Sequence, residues 1–135
     1  MLNKPTLSVA ETTRILEAAR AEAVKNNWAV TIVVADDGGH PLGLLRLDGC
    51  APISSYIATE KARTAALGRR ESKQYEDVIN GGRTAFLSVP VLAGMLEGGV
   101  PIVVDGQVVG AVGVSGVKSP EDAQVARAGA QSVAN

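Results

Sequence analysis

Cysteine, histidine and aromatic residues are scarce in this chain, and each scarcity excludes something. The one cysteine, Cys50, has no partner for an internal disulfide, which fits a reducing compartment. The one histidine, His40, precedes Ser115. The run Gly113-Val114-Ser115-Gly116-Val117 therefore lacks the Ser, acid, His order of a hydrolase elbow, and it carries Val where the last Gly belongs. Aromatics make up 3% of the residues, with Trp28 the single tryptophan. Core volume must come from Val, Ala and Gly, so the elements are expected to pack closely. With 13 basic against 14 acidic residues there is no basic surplus to mark a nucleic-acid surface. No run reaches the ~18 apolar residues of a membrane helix. The start, MLNKPTLSVAETTRILEAAR, has no apolar core of signal-peptide type. The expectation is a cytoplasmic protein with no membrane and no nucleic-acid partner.

What is present is 46% hydrophobic residues in 135, enough for one domain over 1–135 with a real core. The richest stretch is Glu97 to Gly116. Asp105-Gly106 between two apolar runs predicts a tight hairpin, because Gly accepts positive φ cheaply. Val108 to Ser115 does not alternate, so both faces are expected to be covered, as in a central strand. Gly110, Gly113 and Gly116 are spaced unlike a dinucleotide fingerprint or a P-loop. They predict close packing against the strand. Ser119-Pro120-Glu121-Asp122 reads as a helix start with a Ser cap, running from Pro120 to about Val133.

Upstream, Ser8-Val9-Ala10-Glu11 reads as a capping box opening a helix from Val9 to Lys25. Val9, Leu16, Ala19 and Ala23 share its inner face, with Ile15 at the edge. Trp28 to Ala35 and Leu42 to Leu47 read as two strands around the Asp36–Pro41 turn. A helix is expected from Pro52 to Leu67, closed by Gly68, then a short one from Glu71 to Ile79. Arg83 to Leu87 reads as a helical turn, and Met95-Leu96 as a candidate short strand. Two hairpins separated by helices predict an α/β fold of α+β type. It has an antiparallel sheet of about five strands and helices on both faces.

Several residues could carry chemistry. Asp36, Asp37 and His40 could offer two oxygens and a nitrogen to a metal, His40 being the metal candidate; Asx hydrogen bonding within the turn is the simpler reading. Cys50 reads as a small residue filling a tight corner. Lys61, in mid-helix, could bind a carboxylate or form a Schiff base. Arg46, Asp48 and Gly49 lead into the helix that carries Lys61, where charge beside glycine lets a ligand approach the backbone. Arg46 and Asp48 could equally pair with each other. These residues and Ser115 form the expected ligand-binding set.

Five short motifs occur in order: Val34-Ala35-Asp36-Asp37-Gly38-Gly39, Leu45-Arg46-Leu47-Asp48-Gly49, Lys61-Ala62-x-Thr64-Ala65, Gly98-Gly99-Val100-Pro101-Ile102, and Gly110 to Gly116. Together they resemble the GlcG/HbpS family of small domains, which also forms the C-terminal part of PduO-type corrinoid adenosyltransferases. The resemblance spans roughly Asn27 to Gly129. It implies an antiparallel sheet of about five strands flanked by helices, homo-oligomers, and in some members haem binding. A haem here would draw on His40, Tyr56, Tyr75, Met95, Cys50 or weak oxygen contacts.

Three functions follow as expectations. One is a small-molecule-binding module, haem or a related planar ligand first, accessory to a catabolic pathway and not itself an enzyme. Another is an enzyme acting on a small carboxylated catabolite through Lys61, Arg46 and Asp48. The third is an oligomeric accessory protein without its own ligand. The expected contact between copies is the alanine-rich face of the Pro52–Leu67 helix together with Val91, Leu92, Met95 and Leu96.

Overall fold

The computed structural model describes residues 1–134. Ser8 opens helix α1 (Val9–Lys25) by accepting the Glu11 N–H at 3.3 Å, and Asn26 closes it. Ile15 lies at the centre of the buried face with Ala19 and Ala23, whereas Val9 is exposed. The helical turn that carries Val9 thus overhangs the core. The Trp28 N–H still bonds back to Ala23 O, so strand β1 begins only at Thr31 (Thr31–Asp36). The turn to β2 (Pro41–Arg46) is built on Asp36, whose Oδ1 accepts the N–H groups of Gly38 at 2.9 Å and His40 at 3.0 Å. That is the Asx chemistry expected of such a turn.

Helix α2 (Ile53–Gly68) follows, then α3 (Ser72–Asn80) and a 3-10 helix over Thr84–Ser88. Strands β3 (Gly99–Val104) and β4 (Gln107–Ser115) form the second hairpin. Asp105 and Gly106 both take positive φ at its tip, 51° and 73°. This is the primed turn geometry that suits the twist of paired strands. Helix α4 (Ser119–Gln131) ends the fold. Its cap is Lys118 and not Ser119. The Lys118 N–H donates to Glu121 Oε1 at 3.3 Å, and Ser119 and Pro120 fill the first turn.

The sheet is antiparallel, in the order β2-β1-β4-β3. Four strands form where about five were expected. Met95-Leu96 adds none, because Leu96 O is taken by Ser72 Oγ from α3. Helices α1 and α4 cover one face over Val30, Ile32, Val34, Val112 and Val114. Helix α2 covers the other over Val33 and Ala35, through Ala58 and Ala62. At Gly113 a Cβ would stand 2.1 Å from Ala58 O, so α2 lies directly on the central strand there. The alanines of α2 are thus spent inside the chain and are not available as a contact between copies.

Helix α2 also runs through its expected stop. Gly68 is its last residue, under the Tyr75 hydroxyl where a Cβ would stand 2.3 Å away. Arg69 takes the left-handed cap instead, at φ 55°.

Candidate functional site

A cleft of about 550 Å³ lies between α3, the 3-10 helix and the segment 89–96. Helix α3 puts Ser72 and Tyr75 inward and leaves Ile79 half-buried at the cleft wall. The Tyr75 and Phe86 rings meet edge to face at 5.4 Å, which anchors the 3-10 helix. The floor is fixed from two sides. Ser72 Oγ accepts the Gly99 N–H at 2.8 Å, and Glu76 Oε1 accepts the Glu97 N–H at 3.1 Å. Gly94 lies on the α2 backbone, where a Cβ would come 2.3 Å from Glu60. The lining is Ile79, Leu87, Val89, Pro90, Leu92, Ala93, Met95 and Leu96, with Glu76 and Asn80 as the polar members. Met95 is buried, whereas Val91 and Leu96 are exposed at the rim. The volume lies in the range of small-molecule sites, and the lining mixes apolar side chains with Glu76 and Asn80.

Lys61 lies elsewhere and is fully engaged. Its Nζ donates to Val114 O at 3.0 Å and to Asp122 Oδ2 at 3.1 Å, with 3% of the residue exposed. Asp122 Oδ1 accepts the Val117 N–H at 3.1 Å. Burial pushes the Asp122 carboxyl above its ordinary range, against the attraction of Lys61. Gly98, at φ 133°, leaves room for the ammonium, since a Cβ there would stand 2.8 Å from Nζ. This buried pair ties α2, β4 and α4 together.

The other expected residues separate into surface and interior. Arg46, Asp48 and Gly49 are exposed at the end of β2, and no salt bridge joins Arg46 to Asp48 among the described residues. Asp48 lines a second, smaller hollow beside Trp28. Ser115 is buried beside Cys50, whose Sγ sits 2.8 Å from Ser54 Oγ and 3.7 Å from Thr31 Oγ1. Cys50 thus fills a tight polar corner. His40 is exposed on the β1–β2 turn. Asp36 is occupied by that turn, and Asp37 pairs with Lys4 at 3.1 Å. Among the described residues no three His, Cys, Asp or Glu side chains gather as a metal site. No helix there is long and apolar enough to cross a membrane.

The cleft beside α3 escaped sequence reasoning. Only the aperiodic apolar residues Val91, Leu92, Met95 and Leu96 hint at it in the sequence.

A family model described as haem degrading protein HbpS-like matches residues 7–131. Protein GlcG of Escherichia coli is 62% identical over 115 residues, covering 85% of each chain. A solved double mutant of Streptomyces reticuli HbpS superposes with a TM-score of 0.89 at 29% identity, over 100% of this chain and 92% of that one. A PduOC–haem complex superposes with a TM-score of 0.84 at 23% identity, over 96% of each chain; that likeness concerns the fold alone.

Proposed function

This chain belongs to the HbpS-like family, and on that premise we propose that it binds a small planar, largely apolar ligand, haem first, in the cleft beside α3. The observation that carries the proposal is the cleft itself: about 550 Å³, walls that are mostly apolar side chains, and neighbouring backbone N–H groups held by the side chains of Ser72 and Glu76. The residues present fit the ring of a haem and not a histidine-ligated iron. Met95 offers a thioether in the cleft wall, while His40 stands on the exposed turn of the first hairpin. Ile79, Leu87 and Leu92 would hold the ring and exclude water, and Met95 is the residue with a soft donor among those that line the cleft. A bound haem would supply a redox-active iron.

The reading as an accessory binding module rather than an enzyme draws support from Lys61. Its ammonium is consumed by Asp122 and Val114, and it does not converge with Arg46 and Asp48. A second copy of the chain is the proposed partner. Ile53, Tyr56 and Leu67 form an exposed stripe on α2, and Gly39 of the β1–β2 turn packs against Arg63 and Leu67. The stripe therefore runs beside edge strand β2, whose Leu42 and Leu44 are also exposed. Glu60 and Arg63 pair at 3.7 Å between Tyr56 and Leu67, so the face is apolar at both ends and charged between, a pattern that suits an isologous contact.

Titration with haemin, read by absorption, tests the binding reading. The expected result is a saturable Soret shift at integral stoichiometry. Met95→Leu should move the Soret position and His40→Ala should leave it unchanged. Non-saturable spectra, or loss of the shift in His40→Ala alone, would overturn it. The first outcome would favour an accessory protein without its own ligand.

A further inference from the structure

The hollow beside Trp28, about 350 Å³, is separate from the cleft at α3 and has a different chemistry. Helix α1 ends at Lys25, and Asn27 turns the chain back with φ 58°. This brings the indole of Trp28 beside Arg20 and Val24 of α1 and Leu47 and Asp48 after β2. The apolar part of the lining is the indole, Val24 and Leu47. The polar part carries both signs of charge.

Neither charge is strongly committed. The Arg20 guanidinium has one exposed partner, Glu17 on its own helix, at 3.6 Å. Asp48 has no salt bridge among the described residues. The remaining acid nearby on α1, Glu22, is engaged by Gln124 at 2.7 Å and by Asn26. Gly49, next to Asp48, has only Ala29 Cβ near its own Cβ position, at 4.0 Å, so the backbone there is approachable.

A cation, a carboxylate and the tryptophan around one hollow match a ligand carrying an anion, a cation and an apolar body. We propose that this hollow binds a small amphipathic zwitterion of the free amino-acid class. Arg20 would take its carboxylate, Asp48 its ammonium, and Trp28 would lie against its side chain.

Trp28 is the only tryptophan, so intrinsic fluorescence reads this hollow directly. The probes are L-leucine, isocaproate with the carboxylate alone, and isoamylamine with the ammonium alone. L-Leucine should shift the emission saturably, with a Kd on the order of 1 mM, and each single-charge analogue should bind more weakly. Arg20→Gln and Asp48→Asn should each weaken L-leucine by about two- to fivefold, the effect an exposed ion pair supports. Arg20→Gln should also erase the preference for L-leucine over isoamylamine. Both side chains are exposed, and unchanged circular dichroism and thermal midpoints would confirm that the variants fold. An emission that does not saturate, equal binding of all three probes, or variants indistinguishable from the parent would overturn the assignment. Haemin binding at α3 is measured separately and does not depend on this result.

Discussion

Lys61 and Asp122 show how far a residue's role can lie from its spacing. Lys61 reads as a solvated or reactive helix lysine, yet it is buried on a partner 61 positions away. No local pattern encodes that distance; only the packing of α4 against β4 brings Asp122 to it. Removing one partner strands a buried charge, so Lys61→Met should cost about 3 kcal/mol or more in urea unfolding. The double variant Lys61→Met/Asp122→Leu should recover most of that loss. Burial raises the Asp122 carboxyl above its ordinary 3.8 in the native state. The native chain therefore holds this proton at pH values where the unfolded chain has lost it. The stability it contributes is fully present below the ordinary carboxylate range and disappears as pH rises through the native value. Unfolding measured from about pH 3 to 6 should show that slope in the parent and lose it in Asp122→Asn. Thr64 makes a contrasting case. Its Oγ1 is buried without a hydrogen-bond partner among the described residues, so Thr64→Val should stabilise by about 1 kcal/mol. A loss of stability would mean that the hydroxyl is satisfied.

At the scale of elements, most local chemistry is readable in the sequence; the exception is α4, whose cap is Lys118 and not Ser119. Ser8 with Glu11, Asp36 in its turn and Asp105-Gly106 were each legible because cap and turn bonds span only a few residues. Two larger differences fall where a distant side chain intervenes. Ser72 takes the carbonyl that a fifth strand at Leu96 would have used. Tyr75 presses on Gly68, so the helix continues and an arginine adopts the left-handed cap. That conformation suits glycine, and Arg69 is exposed. Arg69→Gly should therefore raise stability by about 0.5–1 kcal/mol, read as an upward shift of the urea midpoint with an unchanged slope. A downward shift would show that the Arg69 side chain contributes more than its backbone costs.

For the whole molecule, the layer order followed from the chain, but the surfaces that matter did not. The alanine-rich face of α2, expected as a contact between copies, lies on the sheet instead. The exposed apolar residues of α2 are Ile53, Tyr56 and Leu67, one stripe flanking Leu42 and Leu44 of β2. Sedimentation equilibrium at micromolar concentration should give a mass of several chains, and Tyr56→Asp or Leu44→Asp should lower it. A single-chain mass unchanged by dilution would contradict the contact. The cleft beside α3 was hidden for a related reason: its wall comes from an aperiodic segment whose shape depends on Ser72, Glu76 and Gly94 gripping distant backbone.

The most direct test of that cleft as the ligand site fills it from its own wall. Ala93 lines the cleft and is exposed, so Ala93→Trp should fold normally while occupying the space. Haemin titrated into parent and variant should give a saturable Soret shift in the parent and none in Ala93→Trp. Equal saturable binding in both would place the ligand elsewhere and contradict the account.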